Sequence, residues 1–150
     1  MLSLLRENFG KVSGAVNPRK TTVALIIITV VVIAMGGTIR IYDAGESCPD
    51  WPTCFGTFGF DISEEEQGEW WEENPEEADS RGSGHRYTSF QIFTEWIHRL
   101  LAGAVLGPLV ILNWIAIRLD KESSSKSKKA ALTSLILIIC LLYTSPSPRD

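Results

Sequence analysis

"TTVALIIITVVVIAMGGTI", residues 21 to 39, contains no charged side chain. About 19 residues at a helical rise of 1.5 Å come to roughly 30 Å, the thickness of a bilayer's hydrocarbon core. The stretch predicts a membrane-spanning helix. A secretory signal peptide is the alternative, but the block starts late, exceeds a normal apolar region and lacks a clear small-x-small cleavage site. The whole chain has 150 residues, a formal net charge of -4 and a mean hydropathy near zero. Those averages alone would suit one soluble domain. They hide two segregated populations, because three apolar blocks alternate with polar blocks of distinct charge.

The second block, residues 90–117, reads "FQIFTEWIHRLLAGAVLGPLVILNWIAI". It is long enough to span, yet it holds Glu95, His98 and Arg99. The third, "AALTSLILIICLLY" (130–143), is about 14 residues, short for a crossing. It ends in "TSPSPRD" (144–150). A helix that stopped part-way through lipid in a Ser/Pro run would leave backbone groups unsatisfied, at several kcal/mol each. Residues 144–150 also look like translated adaptor sequence. The expectation is therefore a non-native tail, a native chain that continues beyond about Leu142, and a truncated third helix. The expected fold class is all-α, a polytopic membrane helix bundle. Cys140 falls in the third block and is expected to pack as a small hydrophobe.

Lys and Arg set orientation. Segment 1–20 carries Arg6, Lys11, Arg19 and Lys20. Loop 118–129 carries Arg118, Lys121, Lys126, Lys128 and Lys129. Loop 40–89 has Arg40, Arg81 and Arg86 beside the acidic run "DISEEEQGEWWEENPEEAD". The first two segments are expected in the cytoplasm and 40–89 outside, in a multi-pass protein of the cell membrane. No nucleic-acid partner is expected.

"ESCPDWPTCFG" (46–56) brings Cys48 and Cys54 close together around two prolines. On an outer face a disulfide forms and persists. It would close a small loop at low entropic cost. A transient redox pair and a zinc site are the alternatives; zinc needs two further ligands, and His85 is the only histidine in the loop. Segment 61–79 shows no helical or strand period and reads as a solvated loop. Its Trp70 and Trp71 suit the lipid headgroup level. No internal repeat is visible.

Ionisable groups inside a membrane helix are costly and are paired or functional. Glu95 and His98, three apart, share a helix face, as do Glu95 and Arg99, four apart. One reading is an ion pair plus a histidine bonded to a neighbouring helix. The other is a haem site, with His98 as axial ligand, Arg99 pairing with a propionate, and Glu95 near the porphyrin edge. There Glu95 would stabilise developing positive charge or move a proton.

"GGTIRIYDAGESCPDWPTCFG" followed by "TEWIHRLLAG" resembles the N-terminal part of the haem A synthase family, the cytochrome oxidase assembly family. The resemblance covers about Gly36 to Gly103. It implies eight membrane helices in two similar halves, each holding haem through paired histidines. The implied reaction oxidises the methyl group of haem O to the formyl group of haem A. On this pattern His98 matches a haem-iron ligand of the substrate half, Glu95 a functionally important glutamate, and Cys48 and Cys54 the family's outer-loop pair. Arg40 and Arg99 match motif arginines, for which propionate pairing is the physical expectation. Haem b is expected in the second half. Haem O, haem O synthase, oxidase assembly factors and membrane lipid are the implied partners. The acids in "IYDAGES" and the long acidic insertion depart from the pattern, and the fourth-helix histidine partner lies beyond this chain. The chain alone is therefore expected to be inactive. The competing classes are a b-type cytochrome that carries electrons and a membrane thiol-disulfide carrier using Cys48 and Cys54.

Overall fold

A computed structural model describes residues 17–144. The expectations for residues 1–16, Arg6 and Lys11 among them, and for the tail 145–150 lie outside the described residues.

Helix α1 spans Pro18–Ile41. Asn17 opens it: its side-chain oxygen accepts the backbone N–H of Arg19 at 2.9 Å and of Lys20 at 3.3 Å. Pro18 at the first helical position has no N–H to leave unsatisfied. Helix α2 spans Glu64–Glu73. Helix α3 runs for 31 residues, Ser89–Leu119. It widens into a π-helical stretch at Leu101–Leu106, just before Pro108. Proline removes one backbone donor and crowds the preceding turn, a common cause of such irregularity. Helix α4 spans Ser125–Thr144. No strand forms among the described residues.

α1 and α3 are long and apolar enough to cross a membrane, at mean hydropathies of 2.5 and 2.2. α1 exposes Ile26, Val30 and Ile33. Apolar side chains all round a helix suit lipid. The fold is an all-α membrane helix bundle.

The described residues divide into two units. In the unit formed by 31–104, the loop between α1 and α3 folds into a small domain of its own. Cys48, Cys54, Phe55, Ile62, Trp71, Tyr87 and Ile92 form its core. Phe55 meets Trp70 and Trp71 edge-on at 5.6 and 5.5 Å. The buried Gln67 side chain donates to the carbonyls of Ile62 and Tyr87 and accepts the N–H of Tyr87.

Two expectations are corrected here. The acidic segment is not a structureless loop, because it contains α2. Ser63 and Glu66 form a reciprocal capping box, and Glu64, Glu65 and Glu66 complement the positive end of the helix dipole. Gln67 and Trp71, four apart, turn one face into the core. Trp71 is 2% exposed, so it serves that core rather than the lipid headgroups. Trp70 is partly buried against the same cluster.

The other unit contains 17–30 and 105–144. Asn113 of α3 accepts the hydroxyls of Thr21 and Thr22 at 2.9 Å each, satisfying a buried amide oxygen between apolar helices. The C-terminal part of α3 and α4 pack as a hairpin. α4 begins before the apolar block. Ser124 caps it by accepting the N–H of Ser127, which brings Lys126, Lys128 and Lys129 onto its first turns. Ser123 and the backbone of Glu122 donate to Asp120 at the end of α3, holding its carboxyl below the usual range.

Candidate functional site

The site lies on α3 beneath the cysteine loop. Thr88 and Gln91 form a capping box that starts the helix. Helical spacing then puts Ile92, Glu95 and Arg99 along one side, facing the loop.

Glu95 is 5% exposed. One carboxylate oxygen accepts the Ser47 hydroxyl at 2.9 Å and the backbone N–H of Cys48 at 2.8 Å. The other accepts Arg99 Nε at 3.1 Å and Nη2 at 2.8 Å. Arg99 continues into the loop, with Nη1 donating to the Asp50 carbonyl at 2.7 Å and Nη2 to the Cys48 carbonyl. A buried carboxylate facing one cation and two further donors has its desolvation offset. The pair thus ties the backbone of residues 47–50 to the helix.

Cys48 and Cys54 are 1% and 0% exposed, with their sulfurs within bonding distance. Asp50 closes the same loop, accepting the Thr53 hydroxyl and the N–H of Gly56. His85 lies instead beside Arg81 and Tyr87. Among the described residues no three His, Cys, Asp or Glu side chains gather as a metal cluster.

His98 points elsewhere. Its Nε2 faces Gly36 of α1, where an added Cβ would stand 3.4 Å away. Neither ring nitrogen has a hydrogen bond among the described residues. Arg40 lies one turn beyond Gly36 on the same side of α1. It is exposed and has no hydrogen bond or ion pair among the described residues. The structure therefore brings Glu95, Arg99, Cys48 and Cys54 into one network, sets His98 against Gly36 of α1 and leaves Arg40 exposed. Gly36, lacking a side chain, lets the imidazole tip pack closely against α1, and the exposed Arg40 guanidinium one turn away suits an anionic group such as a propionate. Arg99, with its donors committed to Glu95 and the loop, is the less available of the two arginines.

The sequence reading did not single out Ser47 or Asp50. Both are short polar residues beside proline-rich turn sequence, where such side chains bond nearby backbone. That signal marked a turn but not a contact to a helix 48 positions away.

These features define a helical membrane protein whose paired-cysteine loop is bonded to a histidine-bearing span. Residues 19–142 match the model of a family described as "Cytochrome oxidase assembly protein". The chain belongs to that family, the haem A synthase family. One relative, "Heme A synthase" from Shewanella oneidensis, is 32% identical over 114 residues. The match covers 76% of this chain and 31% of the relative, so the chain spans about a third of that protein's length. No solved structure matches the chain.

Proposed function

We propose that the protein oxidises the methyl group of haem O to the formyl group of haem A for cytochrome oxidase assembly, and that this chain forms part of the half that holds haem O. The observation that carries the reading is the His98 imidazole on the α3 span, with neither ring nitrogen hydrogen-bonded among the described residues. His98 would hold the haem iron. Arg40 would pair with a propionate. Bound haem supplies the iron and the redox chemistry. Glu95 is held in place by four hydrogen-bond donors. There it would stabilise developing positive charge or move a proton. Haem b belongs to the second half of the full-length protein, and the cysteine loop lies outside the cell membrane.

The two sulfurs form a disulfide staple. Their burial supports this over a thiol-disulfide carrier, whose reactive pair must be reachable.

In the full-length protein, His98→Ala should alter the optical spectrum of one haem or lower its occupancy. An unchanged spectrum at normal expression and haem loading overturns the ligand role. Haem O conversion to haem A, read by chromatography of extracted haems, separates the enzyme from a b-type electron carrier.

A further inference from the structure

Trp71 is unavailable to lipid, but another set of rings faces outward. Phe58 is 74% exposed and Phe60 is 41% exposed, on the segment leading into α2. Phe60 folds back against α3, its ring centroid 4.8 Å from Phe93 and 6.5 Å from Trp96.

The face of α3 that Phe60 covers is significant. At about 100° per residue, Phe93 lies about 140° and Trp96 about 160° around the helix from His98. His98 faces α1. Phe60 therefore sits on the side of α3 turned away from α1, where an apolar span meets lipid.

Depth can be read from the helix ends. Tyr42, just past α1, pairs edge-on with Phe90 in the first turn of α3, with centroids 5.0 Å apart. Both rings are exposed, at 54% and 49%. One apolar helix ends here and the next begins, the level at which aromatic side chains mark the edge of the hydrocarbon. Phe93 lies about 4.5 Å deeper along α3 than Phe90. The ring of Phe60, in contact with Phe93, reaches that depth. The next residue, Asp61, is exposed and opens the acidic run that stays in water.

We propose that residues 58–60 insert into the lipid headgroup region of the leaflet where α1 ends and α3 begins. Phe58 and Phe60 form an aromatic anchor that holds the cysteine-loop domain against the membrane surface. This does not depend on the haem chemistry.

The test is a nitroxide label on full-length protein in phosphatidylcholine bilayers, in a Cys140→Ser background. Phe58→Cys is one label site. Gly59→Cys is the second, because it keeps both rings and has nothing within 4 Å of its Cβ position. Glu65→Cys on α2 is the aqueous reference and Ile33→Cys on α1 the lipid reference. Collision rates with oxygen and with a water-soluble nickel chelate report depth. The ratio of oxygen to nickel collisions should be several-fold higher at 58 and 59 than at 65 and below that at 33. A ratio equal to that at 65 overturns the anchor. So do low rates with both reagents, which would mean that another part of the protein covers the loop tip.

Discussion

Ser47 and Glu95 stand 48 positions apart and share a hydrogen bond of 2.9 Å in a fully buried setting. The contact joins the residue before the first loop cysteine to the glutamate three positions before His98. The loop is thereby part of the site's framework.

Glu95→Gln is nearly isosteric but replaces one acceptor oxygen with a donor and removes the charge. In the full-length protein it is expected to retain haem and lose conversion of haem O to haem A. Haem extraction and optical spectra check both outcomes. If conversion persists and only stability falls, Glu95 is merely an ion-pair partner. Ser47→Ala should lower stability by roughly 1–3 kcal/mol in a thermal or denaturant melt, because a buried acceptor loses a donor.

The two arginines should separate. Arg40→Gln is expected to weaken haem retention with little change in melting, since the side chain has no bond to lose among the described residues. Arg99→Gln should destabilise the loop by roughly 3 kcal/mol or more, because it leaves the buried Glu95 carboxylate without its cation. Haem occupancy and melting curves of the two variants, measured side by side, decide this.

Cys48→Ser should reduce yield and stability by about 2–4 kcal/mol while leaving haem binding measurable, as expected for a lost staple. Mass spectrometry of oxidised wild-type protein should find neither thiol free. Two free thiols would remove the staple.

The Ser63 hydroxyl and its backbone N–H lower the pKa of Glu66 from its ordinary value near 4.5. A depressed carboxyl pKa adds stability that is present above the unfolded value and lost as pH falls through the folded one. Hydrogen exchange of a peptide from α2 should therefore stay protected somewhat below pH 4.5. Ser63→Ala should move the loss of protection up toward the ordinary carboxylate range.

Orientation is testable at exposed sites, since Cys48 is buried. Glu65→Cys should react with a membrane-impermeant maleimide in intact cells, and Ser124→Cys only after permeabilisation. The reverse pattern overturns the proposed topology.

Hydropathy and charge along the chain were enough to establish the apolar spans 21–39 and 90–117 and the helical class, because a bilayer demands length and uniform apolarity that linear sequence displays directly. Motif order likewise identified the family and singled out Cys48, Cys54, Glu95, His98, Arg99 and Arg40 as candidates. Only the tertiary structure decided what those residues face. Spacing put Glu95 and His98 near one another on a helix, but the folded loop supplies Ser47 and the Cys48 amide to Glu95, and α1 supplies a glycine to His98. The same holds for α2. Its many carboxylates concealed two positions, Gln67 and Trp71, whose burial depends on Phe55, Ile62 and Tyr87 from elsewhere in the loop. A local pattern records which side chains share a face, whereas the partner that buries the face comes from distant sequence and is fixed only when the chain closes on itself.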